Sequence, residues 1–420
     1  MICFLRLCVF AVIFKIYQSD KCKFAESAYS LLMQIPLILF IGFLSIAGAY
    51  YLLIMLVFFG LLKNRNSEIQ EETYHTKVTV IIPAKNEETN ILHLLNDLLQ
   101  QTFPFRLLEV ILVDDGSTDK TNIMANNFAA DNPGFPFLIL KIESDNNFSG
   151  SKKRAIKSAL LQSSGELILA TDADTRIGKN WITSMVSYYE KFHPIMILGP
   201  VVYSQENSFF ARIQSCEFMG LMAVTEGSCA LHRPLMCNGA NIAYSRKAFD
   251  MVGGFDDNFR IPSGDDMFLM MKIRKRFGWK AVRFNRSEEA IVVTSPNATM
   301  HEFIQQRLRW VSKNKGYKDF FVLFVATLTY LFNVSLLLGL IVGFFIPSVW
   351  VLTLILLGGK IVVEFPVLWN YAIFLGRTKD LIVVPVVQFL NIFYVSIIGL
   401  LGNFLTYEWK GKKVNPTGKS

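Results

Sequence analysis

Three motifs, each with two aspartates, lie along the middle of this 420-residue chain, and their residue types suit chemistry on a phosphorylated substrate. They are Asp114-Asp115, Asp172-Ala173-Asp174 and Asp265-Asp266. In the second motif the two carboxylates fall on the same side of an extended segment. Oxygen ligands of this kind suit Mg²⁺ or Mn²⁺, which share a substrate diphosphate and offset the charge that develops as it departs.

The other two acidic motifs each have a binding interpretation and a structural one. Asp114 and Asp115 end an apolar run, where a carboxylate can accept hydrogen bonds from a base or ribose. The alternative is an Asx turn started by the Asp-Gly-Ser sequence, and the two are compatible if one aspartate turns the chain. Asp265 and Asp266 precede a helical stretch, where one could act as a general base or both could simply cap the helix.

Cationic and aromatic residues form two further groups. Gln306 and Arg309 are three residues apart, so that with Trp310 they bring a cation and an aromatic face to one helical patch. Arginine pairs with diphosphate oxygens in a bidentate manner, and Trp310 offers an apolar face for a sugar ring. The alternative is anchoring at the membrane surface. Four basic residues lie at the start of another predicted helix. They could contact phosphate or could simply be solvated surface charge, and the sequence favours neither interpretation: Lys152, Lys153, Arg154 and Lys157.

The elements that must position these groups follow an α/β pattern between about Thr76 and Asn297. Short β-branched or apolar runs predict strands, and stretches with helical spacing separate them. The predicted strands are Val78–Ile82, Val110–Val113, Phe137–Ile142 and Glu166–Thr171. Strand–helix alternation favours parallel strands in an open sheet, where ligands bind beyond the carboxyl ends. Asp114-Asp115 and Asp172-Ala173-Asp174 both fall at such ends.

Both ends of the chain are apolar. The mean hydropathy of +0.36 and the 52% hydrophobic content exclude an ordinary soluble protein. Ile35–Leu62 carries no charged side chain and exceeds the roughly 20 residues that a helix needs to span hydrocarbon. Three more hydrophobic segments are predicted after Asp319: Phe320–Ile346, Val349–Gly376 and Leu381–Tyr407.

The first residues, Met1–Tyr17, have three interpretations: a signal-like segment, a short first helix, or sequence upstream of the true start. Because they lack a clear small-residue cleavage site, we favour an uncleaved segment that lies on or in the membrane.

The net charge of +8 lies largely beside the apolar segments and is not a nucleic-acid signature. Basic residues that flank spans mark the cytoplasmic side, and Lys63 and Arg65 place the middle of the chain there. Three C-terminal spans would then leave the basic residues after Trp409 outside, against that rule. One explanation is that Leu381–Tyr407, which Pro385 breaks, is a re-entrant or paired short element. The other is that the basic residues of the tail lie outside despite the positive-inside rule. The six cysteines lack a Cys-x-x-Cys pair and are interpreted as free thiols.

The chain is therefore divided into six parts. They are an N-terminal hydrophobic or interfacial segment (1–34), a transmembrane helix (35–62), an α/β catalytic domain (76–297), an interfacial helix (298–318), a C-terminal transmembrane region of about three segments (320–407) and a basic tail (408–420).

Taken in order, these residues resemble glycosyltransferase family 2, in the membrane-bound branch of cellulose, chitin and hyaluronan synthases and related bacterial membrane glycosyltransferases. The resemblance covers about Val78 to Trp310. Seven motifs carry it: Ile82–Glu87, Asp114–Ser117, Thr171–Thr175, Asn238–Asn241, Gly253–Phe255, Asp265-Asp266 and Gln306–Trp310. It implies an α/β GT-A domain with flanking transmembrane helices and a nucleotide-diphospho-sugar donor, most often UDP-linked.

The resemblance also implies roles for single residues. Asp266 would be the catalytic base, with Asp265 beside it where the family often has Glu-Asp. Asp174 and Asp172 would hold Mg²⁺ or Mn²⁺. Trp310, with Gln306, would bind the acceptor. The donor-binding set would be Asp115 at the nucleobase with Asp114, Pro83, Glu87, Lys153, Asp172 and Arg309.

The implied function is inverting transfer of a sugar to a lipid-linked or oligosaccharide acceptor, at the cytoplasmic face of a bacterial inner or plasma membrane. One alternative is a processive polysaccharide synthase, although such relatives commonly have more spans. Another is a non-catalytic membrane protein that binds nucleotide-sugars, but the intact Asp172, Asp174 and Asp266 argue against it. A transporter is disfavoured because few ionisable residues lie in the spans; Lys360 and Glu364, four apart, could pair with each other.

Overall fold

The computed structural model describes residues 22–64, 73–143, 151–206, 208–256, 264–409 and 412–414. Residues 1–21, part of the predicted N-terminal segment, lie outside these ranges. The strands are β1 (Val78–Ala84), β2 (Leu108–Asp114), β3 (Phe137–Lys141), β4 (Leu167–Ala170), β5 (Arg176–Ile177), β6 (Met196–Leu198), β7 (Val201–Tyr203), β8 (Ile242–Ser245), β9 (Val282–Phe284), β10 (Val292–Thr294), β11 (Tyr407–Trp409) and β12 (Lys412–Val414).

The helices alternate with these strands through the middle of the chain and then dominate both ends. They are α1 (Cys22–Lys63), α2 (Ile91–Leu99), α3 (Thr121–Asp131), α4 (Ser151–Gln162), α5 (Trp181–Phe192), α6 (Phe209–Ala230), α7 (Arg246–Met251), α8 (Asp265–Phe277), α9 (Met300–Ser312), α10 (Phe320–Gly343), α11 (Pro347–Phe374) and α12 (Val384–Leu401).

A seven-stranded sheet in the order β3-β2-β1-β4-β8-β6-β9 forms the centre of the middle domain. The first four strands pair in parallel, which confirms the prediction from strand–helix alternation, and β8 joins β4 in the antiparallel sense. In the register of the β1–β2 pair, Ala84 lies opposite Asp114. The carboxyl ends of β1, β2 and β4 therefore lie side by side, and the loops that follow them meet at one edge.

Both faces of this sheet are covered, which explains why its strands read as continuous apolar runs. Val80 and Ile82 pack in one core with residues of α2 and α5, whereas Ile81 packs in the other with residues of α4 and α6. The alternation follows the period of two along a strand. A second, small sheet in the order β5-β10-β7 follows the β4 end and fixes the chain just after Asp174.

Helix α6 lies between the middle domain and the apolar helices, and the sequence analysis did not identify it. It packs against α1, α11 and α12. At its crossing with α1, a Cβ added to Gly60 would overlap the backbone of Gly227, so the two helices touch backbone to backbone. Beside this crossing the buried Glu226 carboxylate pairs with Arg286 at 2.6 Å and accepts a hydrogen bond from Asn64 Nδ2 at 3.2 Å.

Among the described residues, four helical stretches are long and apolar enough to cross a membrane: Phe40–Lys63, Phe320–Gly343, Pro347–Phe374 and Thr378–Leu401. The predicted pairing of Lys360 with Glu364 is confirmed, with Lys360 Nζ 2.9 Å from Glu364 Oε1. Pro385 does not break the last stretch, because it occupies the first turn of α12, where a missing backbone N–H costs nothing.

The predicted end of the last hydrophobic segment at Tyr407 is wrong. Helix α12 ends at Leu401, and Tyr407 begins an antiparallel hairpin that pairs Tyr407–Trp409 with Lys412–Val414. Part of the predicted basic tail (408–420) therefore forms a strand. Hydropathy alone does not distinguish an aromatic residue in a strand from one in a helix, which accounts for the error. Cys216, Cys229 and Cys237 are free thiols, as predicted for them.

Candidate functional site

The loop after β2 shows that its two aspartates do different things. The Asp114 carboxylate is fully buried, and its Oδ1 accepts a hydrogen bond from Ser117 N at 2.9 Å. This is the Asx turn that the sequence left open, and Gly116 at φ 65° supplies the left-handed backbone that the turn requires. Asp114 therefore shapes the loop from within.

Asp115 presents a fixed carboxylate beside that turn. Its backbone N donates to Ala84 O at 2.9 Å, which ties the β1 and β2 loops together. Arg154 Nη2 donates to Asp115 Oδ1 at 2.7 Å, and Lys85 Nζ lies 3.7 Å from Oδ2. Asp115 Oδ2 accepts no hydrogen bond from the described residues. A buried carboxylate with one acceptor oxygen left over can receive a donor from a ligand.

Pro83 and Glu87 lie at the β1 end of the same edge. Pro83 is within β1, and the Glu87 carboxylate accepts a hydrogen bond from Asn90 Nδ2 at 3.0 Å at the start of α2. The backbone N of Glu87 donates to Thr121 Oγ1 at 2.7 Å. These hydrogen bonds connect the loop after β1 to the start of α2 and the start of α3.

Asp172 and Asp174 lie on a tight turn after β4. The turn is closed by Thr175 Oγ1, which donates to Asp172 O at 2.8 Å. Asp174 is exposed and Asp172 is half-buried. Lys152 Nζ at the start of α4 donates to Asp172 Oδ1 at 2.5 Å, so one of the four bases left open by the sequence contacts a carboxylate of this motif.

Asp265 and Asp266 occupy the first turn of α8, which Gly264 begins at φ 86°. Asp266 Oδ2 accepts from Gly239 N at 2.9 Å and Oδ1 accepts from Met267 N at 2.8 Å, so its carboxylate is held in one orientation. Lys152 Nζ lies 3.9 Å from Asp265 Oδ2. One ammonium thus joins the β4 turn to the start of α8, and the two distant motifs form one site.

The electrostatics of this cluster follow from its burial. Burial raises the pKa of Asp265, and Asp266 adds to that rise while Lys152 opposes it. Burial disfavours the charged form of Lys152, but Asp172 and Asp265 raise its pKa above the ordinary value. Lys153 is almost fully buried, and burial lowers its pKa to about 8. Lys152 is therefore a fixed cation, whereas Lys153 titrates near neutral pH.

Arg309 joins the cluster from α9, whose start is fixed by a capping box between Thr299 and Glu302. Burial lowers the pKa of Arg309, while the charges of Asp172 and Asp266 favour its protonated form. An arginine remains protonated under such a shift. Arg309, the residue predicted to bind the diphosphate, therefore lies within the electrostatic influence of Asp172 and Asp266, which belong to the predicted metal and base motifs.

Gln306 and Trp310 are used largely to hold α9 in place. Gln306 Oε1 accepts hydrogen bonds from Asn297 Nδ2 at 3.0 Å and from Arg307. Arg307 forms an ion pair with Glu217 of α6, and its guanidinium lies 4.2 Å from the Trp310 ring centroid. One face of the Trp310 ring is thus covered by Arg307.

Two parts of the site were missed by the sequence analysis. Gly239 lies between the cation and the candidate base, because a Cβ there would be 3.2 Å from Lys152 Nζ and 3.4 Å from Asp266 Cβ. Lys313, to which the sequence analysis gave no role, lies at the site, where burial lowers its pKa and Asp266 opposes that shift. The Asn238–Asn241 motif was a signal for Gly239; nothing in the local sequence distinguished Lys313.

Within the described ranges, no group of three His, Cys, Asp or Glu side chains forms a closed metal cage. Asp172 and Asp174 instead offer two carboxylates at a partly exposed turn. This donor set fits Mg²⁺ or Mn²⁺, which retain waters and take further ligands from a substrate diphosphate, and it does not fit a structural metal site.

Comparison with known proteins gives two family matches. Residues 79–253 match the model described as Glycosyl transferase family 2, and residues 167–395 match Glycosyl transferase family group 2. The Probable glycosyltransferase YdaM of Bacillus subtilis is 26% identical over 57% of this chain and 55% of its own length. The Beta-monoglucosyldiacylglycerol synthase of Synechocystis is 27% identical over 56% of this chain and 47% of its own. The chain thus spans about half the length of these curated relatives.

One solved structure supports the fold. The mannosyltransferase PcManGT of Pyrobaculum calidifontis, solved in complex with GDP-Man and Mn²⁺, superposes with a TM-score of 0.55 at 18% identity. The match covers 86% of this chain and 97% of that one. At this identity the likeness concerns the fold, and it confirms the predicted GT-A architecture.

Proposed function

This chain belongs to the family 2 glycosyltransferases, and from that premise we propose that it moves a sugar from a nucleotide-diphospho-sugar to a lipid-linked or oligosaccharide acceptor at a membrane surface. The observation that carries the proposal is that Lys152 contacts both Asp172 and Asp265, next to Asp266, and that the charge of Arg309 acts on the same carboxylates. The cluster lies at the carboxyl ends of the sheet strands, where ligands of open α/β sheets bind.

The nucleoside would bind at the β1 and β2 loops. Asp115 suits nucleoside binding because Arg154 orients its carboxylate through Oδ1, whereas Oδ2 can still accept a hydrogen bond. A base or ribose hydroxyl would donate to that oxygen. UDP-linked donors are the first expectation, but PcManGT was solved with GDP-Man, so guanine nucleotides belong in the test.

The diphosphate would lie between the β4 turn and α9. Asp174 and Asp172 would hold Mg²⁺ or Mn²⁺, which would offset the charge that develops on the departing diphosphate. Arg309 would pair with diphosphate oxygens through its planar guanidinium. Lys152 would keep the Asp172 carboxylate oriented, because Lys152 Nζ lies 2.5 Å from Asp172 Oδ1.

The transfer would be a single displacement with inversion. Asp266 would take the proton from the acceptor hydroxyl as that oxygen bonds to the anomeric carbon. The bond from that carbon to the diphosphate breaks, and its electron pair leaves with the nucleoside diphosphate. Asp266 suits this task because two backbone donors hold its carboxylate, Gly239 N and Met267 N. Asp265, whose pKa burial raises, is the second candidate for the base.

The acceptor would come from the lipid side. Four stretches of the described chain could cross a membrane, and the name of the Synechocystis relative refers to a glycolipid. Basic residues such as Lys63 at the domain end of α1 would place the catalytic domain on the cytoplasmic face, in a bacterial inner or plasma membrane.

The test uses the purified full chain in nanodiscs with a panel of UDP- and GDP-sugars plus Mg²⁺ or Mn²⁺. Released nucleoside diphosphate is measured with and without membrane lipid extract. We expect metal-dependent release that rises with lipid, disappears in Asp174→Ala and persists in the matched control Asp131→Ala, an exposed carboxylate at the end of α3. Donor binding without release under every condition would overturn the proposal in favour of a non-catalytic nucleotide-sugar-binding protein.

A further inference from the structure

The apolar helices after the catalytic domain make one round trip away from it. Helix α10 leaves the domain at Asp319, which forms an ion pair with Arg274 of α8. Helix α11 returns, because Arg286 Nη2 donates to Asn370 Oδ1 at 3.1 Å near its end. Just beyond, Arg377 donates to the carbonyl oxygen of Tyr203 in β7. A third crossing by α12 would carry the C-terminus to the opposite face of the bilayer.

Helix α12 instead contacts the domain side of the molecule before its start, in its middle and at its end, while it also packs against α10 and α11. Before it, the turn Thr378–Val383 packs against α6. In its middle, the Tyr394 ring is 5.9 Å from the Phe303 ring of α9. At its end, a Cβ on Gly402 would lie 2.7 Å from Val311 Cβ, also of α9. An 18-residue helix is about 27 Å long, so a crossing helix would have one end nearly a bilayer core away from the domain.

The chain after α12 then docks on α9. We call the paired strands β11 (Tyr407–Trp409) and β12 (Lys412–Val414) the C-terminal hairpin. Glu408 N donates to Gln305 Oε1 at 2.8 Å, and His301 Nε2 lies 3.8 Å from Glu408 Oε2. Tyr407 is 2% exposed and packs in a small core with Leu308.

Tyr407 reaches the turn that carries Arg309. Its side chain lies near Ser312, whose Oγ donates to Arg309 O at 2.8 Å. The Arg309 charge acts on the same tyrosine. The hairpin is therefore connected to the last turn of α9 at the point from which Arg309 enters the site.

We propose that α12 does not cross the bilayer, and that the C-terminal hairpin lies on the catalytic face and positions Arg309 through Tyr407. The topology places the basic residues Lys63, Lys379 and Lys413 on one face, as the positive-inside rule requires. It removes the conflict that three crossings would create for the basic residues after Trp409. The positioning role, unlike the topology, rests on the proposed transferase function.

The topology is tested with protease-sensitive epitope tags in sealed membrane vesicles. One tag follows Ser420, a reference tag is inserted at the exposed Gly134 of the catalytic domain, and a third at Phe345 between α10 and α11. We expect the first two tags to be digested together in the same vesicles and the third only after detergent is added. A C-terminal tag that is digested together with the Phe345 tag would overturn the proposal. The readout needs no enzymatic activity, so it stands if the proposed function fails.

The positioning role is tested by Tyr407→Phe, which keeps the ring and removes the hydroxyl. We expect kcat to fall and the donor KM to rise by about three- to tenfold, with the acceptor KM and the thermal midpoint unchanged. Ser312→Ala should reproduce this effect. The control His301→Ala, at the exposed edge of the same interface, should leave the kinetics within about twofold. Unchanged donor kinetics in Tyr407→Phe would remove the positioning role while leaving the topology intact.

Discussion

Two buried ionic clusters in this protein share their chemistry but not their construction. In the cluster among the apolar helices, Lys360 pairs with Glu364, and Glu364 also accepts hydrogen bonds from Tyr50 OH at 2.5 Å and Gln388 Nε2 at 2.6 Å. Gln388 Oε1 accepts from Lys360 in return. Three helices, α1, α11 and α12, are joined by one cation and one anion whose partners are all internal.

The site cluster is open by comparison. Lys152 serves Asp172 and Asp265, while Asp174 on the same turn is exposed. Asp172 on that turn is half-buried, so part of the site cluster can be reached from solvent. A closed and neutral cluster fixes helices against each other, whereas an open one keeps charge for a ligand. The variants below separate these two roles.

The largest effect is expected from Asp266→Asn in the site cluster. An amide cannot take the acceptor proton, so kcat should fall by on the order of 10²–10⁴-fold while donor binding is retained. Nucleoside diphosphate release and donor titration measure the two quantities, and Asp265→Asn is the matched control. A larger loss in Asp265→Asn would transfer the role of base to that residue, and loss of donor binding in Asp266→Asn would contradict the assigned role.

Lys360→Met should act on stability alone. It leaves the partly buried Glu364 carboxylate without its cation, a change that costs at most about 3–5 kcal/mol of unfolding free energy. The thermal midpoint in detergent should drop, and much of the loss should return in Lys360→Met/Glu364→Gln. The control Lys379→Met removes an exposed charge nearby and should change little. A fall in kcat of the folded fraction would show that the two clusters are coupled.

Arg154→Met should have a smaller effect, confined to the donor. Loss of the hydrogen bond to Asp115 frees that carboxylate to rotate, which should raise the donor KM about fivefold and leave kcat unchanged. Lys157→Met, on the same helix and with a surface ion pair to Asp256, is the control. Equal effects of the two variants would mean that net charge, rather than the orientation of Asp115, sets donor affinity.

A further effect is a pH dependence of stability. The pKa of Lys153 is lowered to about 8 in the folded protein from an ordinary 10.5. Between these values the unfolded chain binds the proton and the folded one does not, so the unfolding free energy rises with pH in this window. Below it, the burial of a charged Lys153 costs stability. Lys153→Met should therefore raise the thermal midpoint at pH 7 and flatten its rise towards pH 10; an unaltered slope would contradict the assignment.

The local sequence predicted the parts of the fold that depend on local patterns. Strands β1 and β2 follow from β-branched runs, and the placement of Asp114-Asp115 and Asp172-Ala173-Asp174 follows from strand ends. Helix α6 was not predicted because it packs between the middle domain and the apolar helices, so its apolar residues do not form a single stripe.

The site could be predicted as a set of motifs but not as a network. Asp114 and Asp115 are neighbours of the same type, and only packing decides that one makes the turn and the other faces Arg154. Lys152 contacts Asp172 across 20 positions of sequence, and no periodicity encodes such a contact. Arg307 was given no role of its own within the Gln306–Trp310 motif, although its pairing with Glu217 holds α9 against α6.

The backbone contact between Gly60 and Gly227 has a consequence for how the proposed lipid-borne acceptor would reach the site. Because no side chains separate the two helices at that crossing, the catalytic domain cannot tilt or slide relative to α1 without separating α1 from α6. If α1 spans the membrane as proposed, the site would stand at a fixed height above the hydrocarbon, set by helix length and not by the substrate. An acceptor held in the leaflet would reach it by lateral diffusion, so the thickness of the host membrane becomes a determinant of which headgroup arrives at the right level.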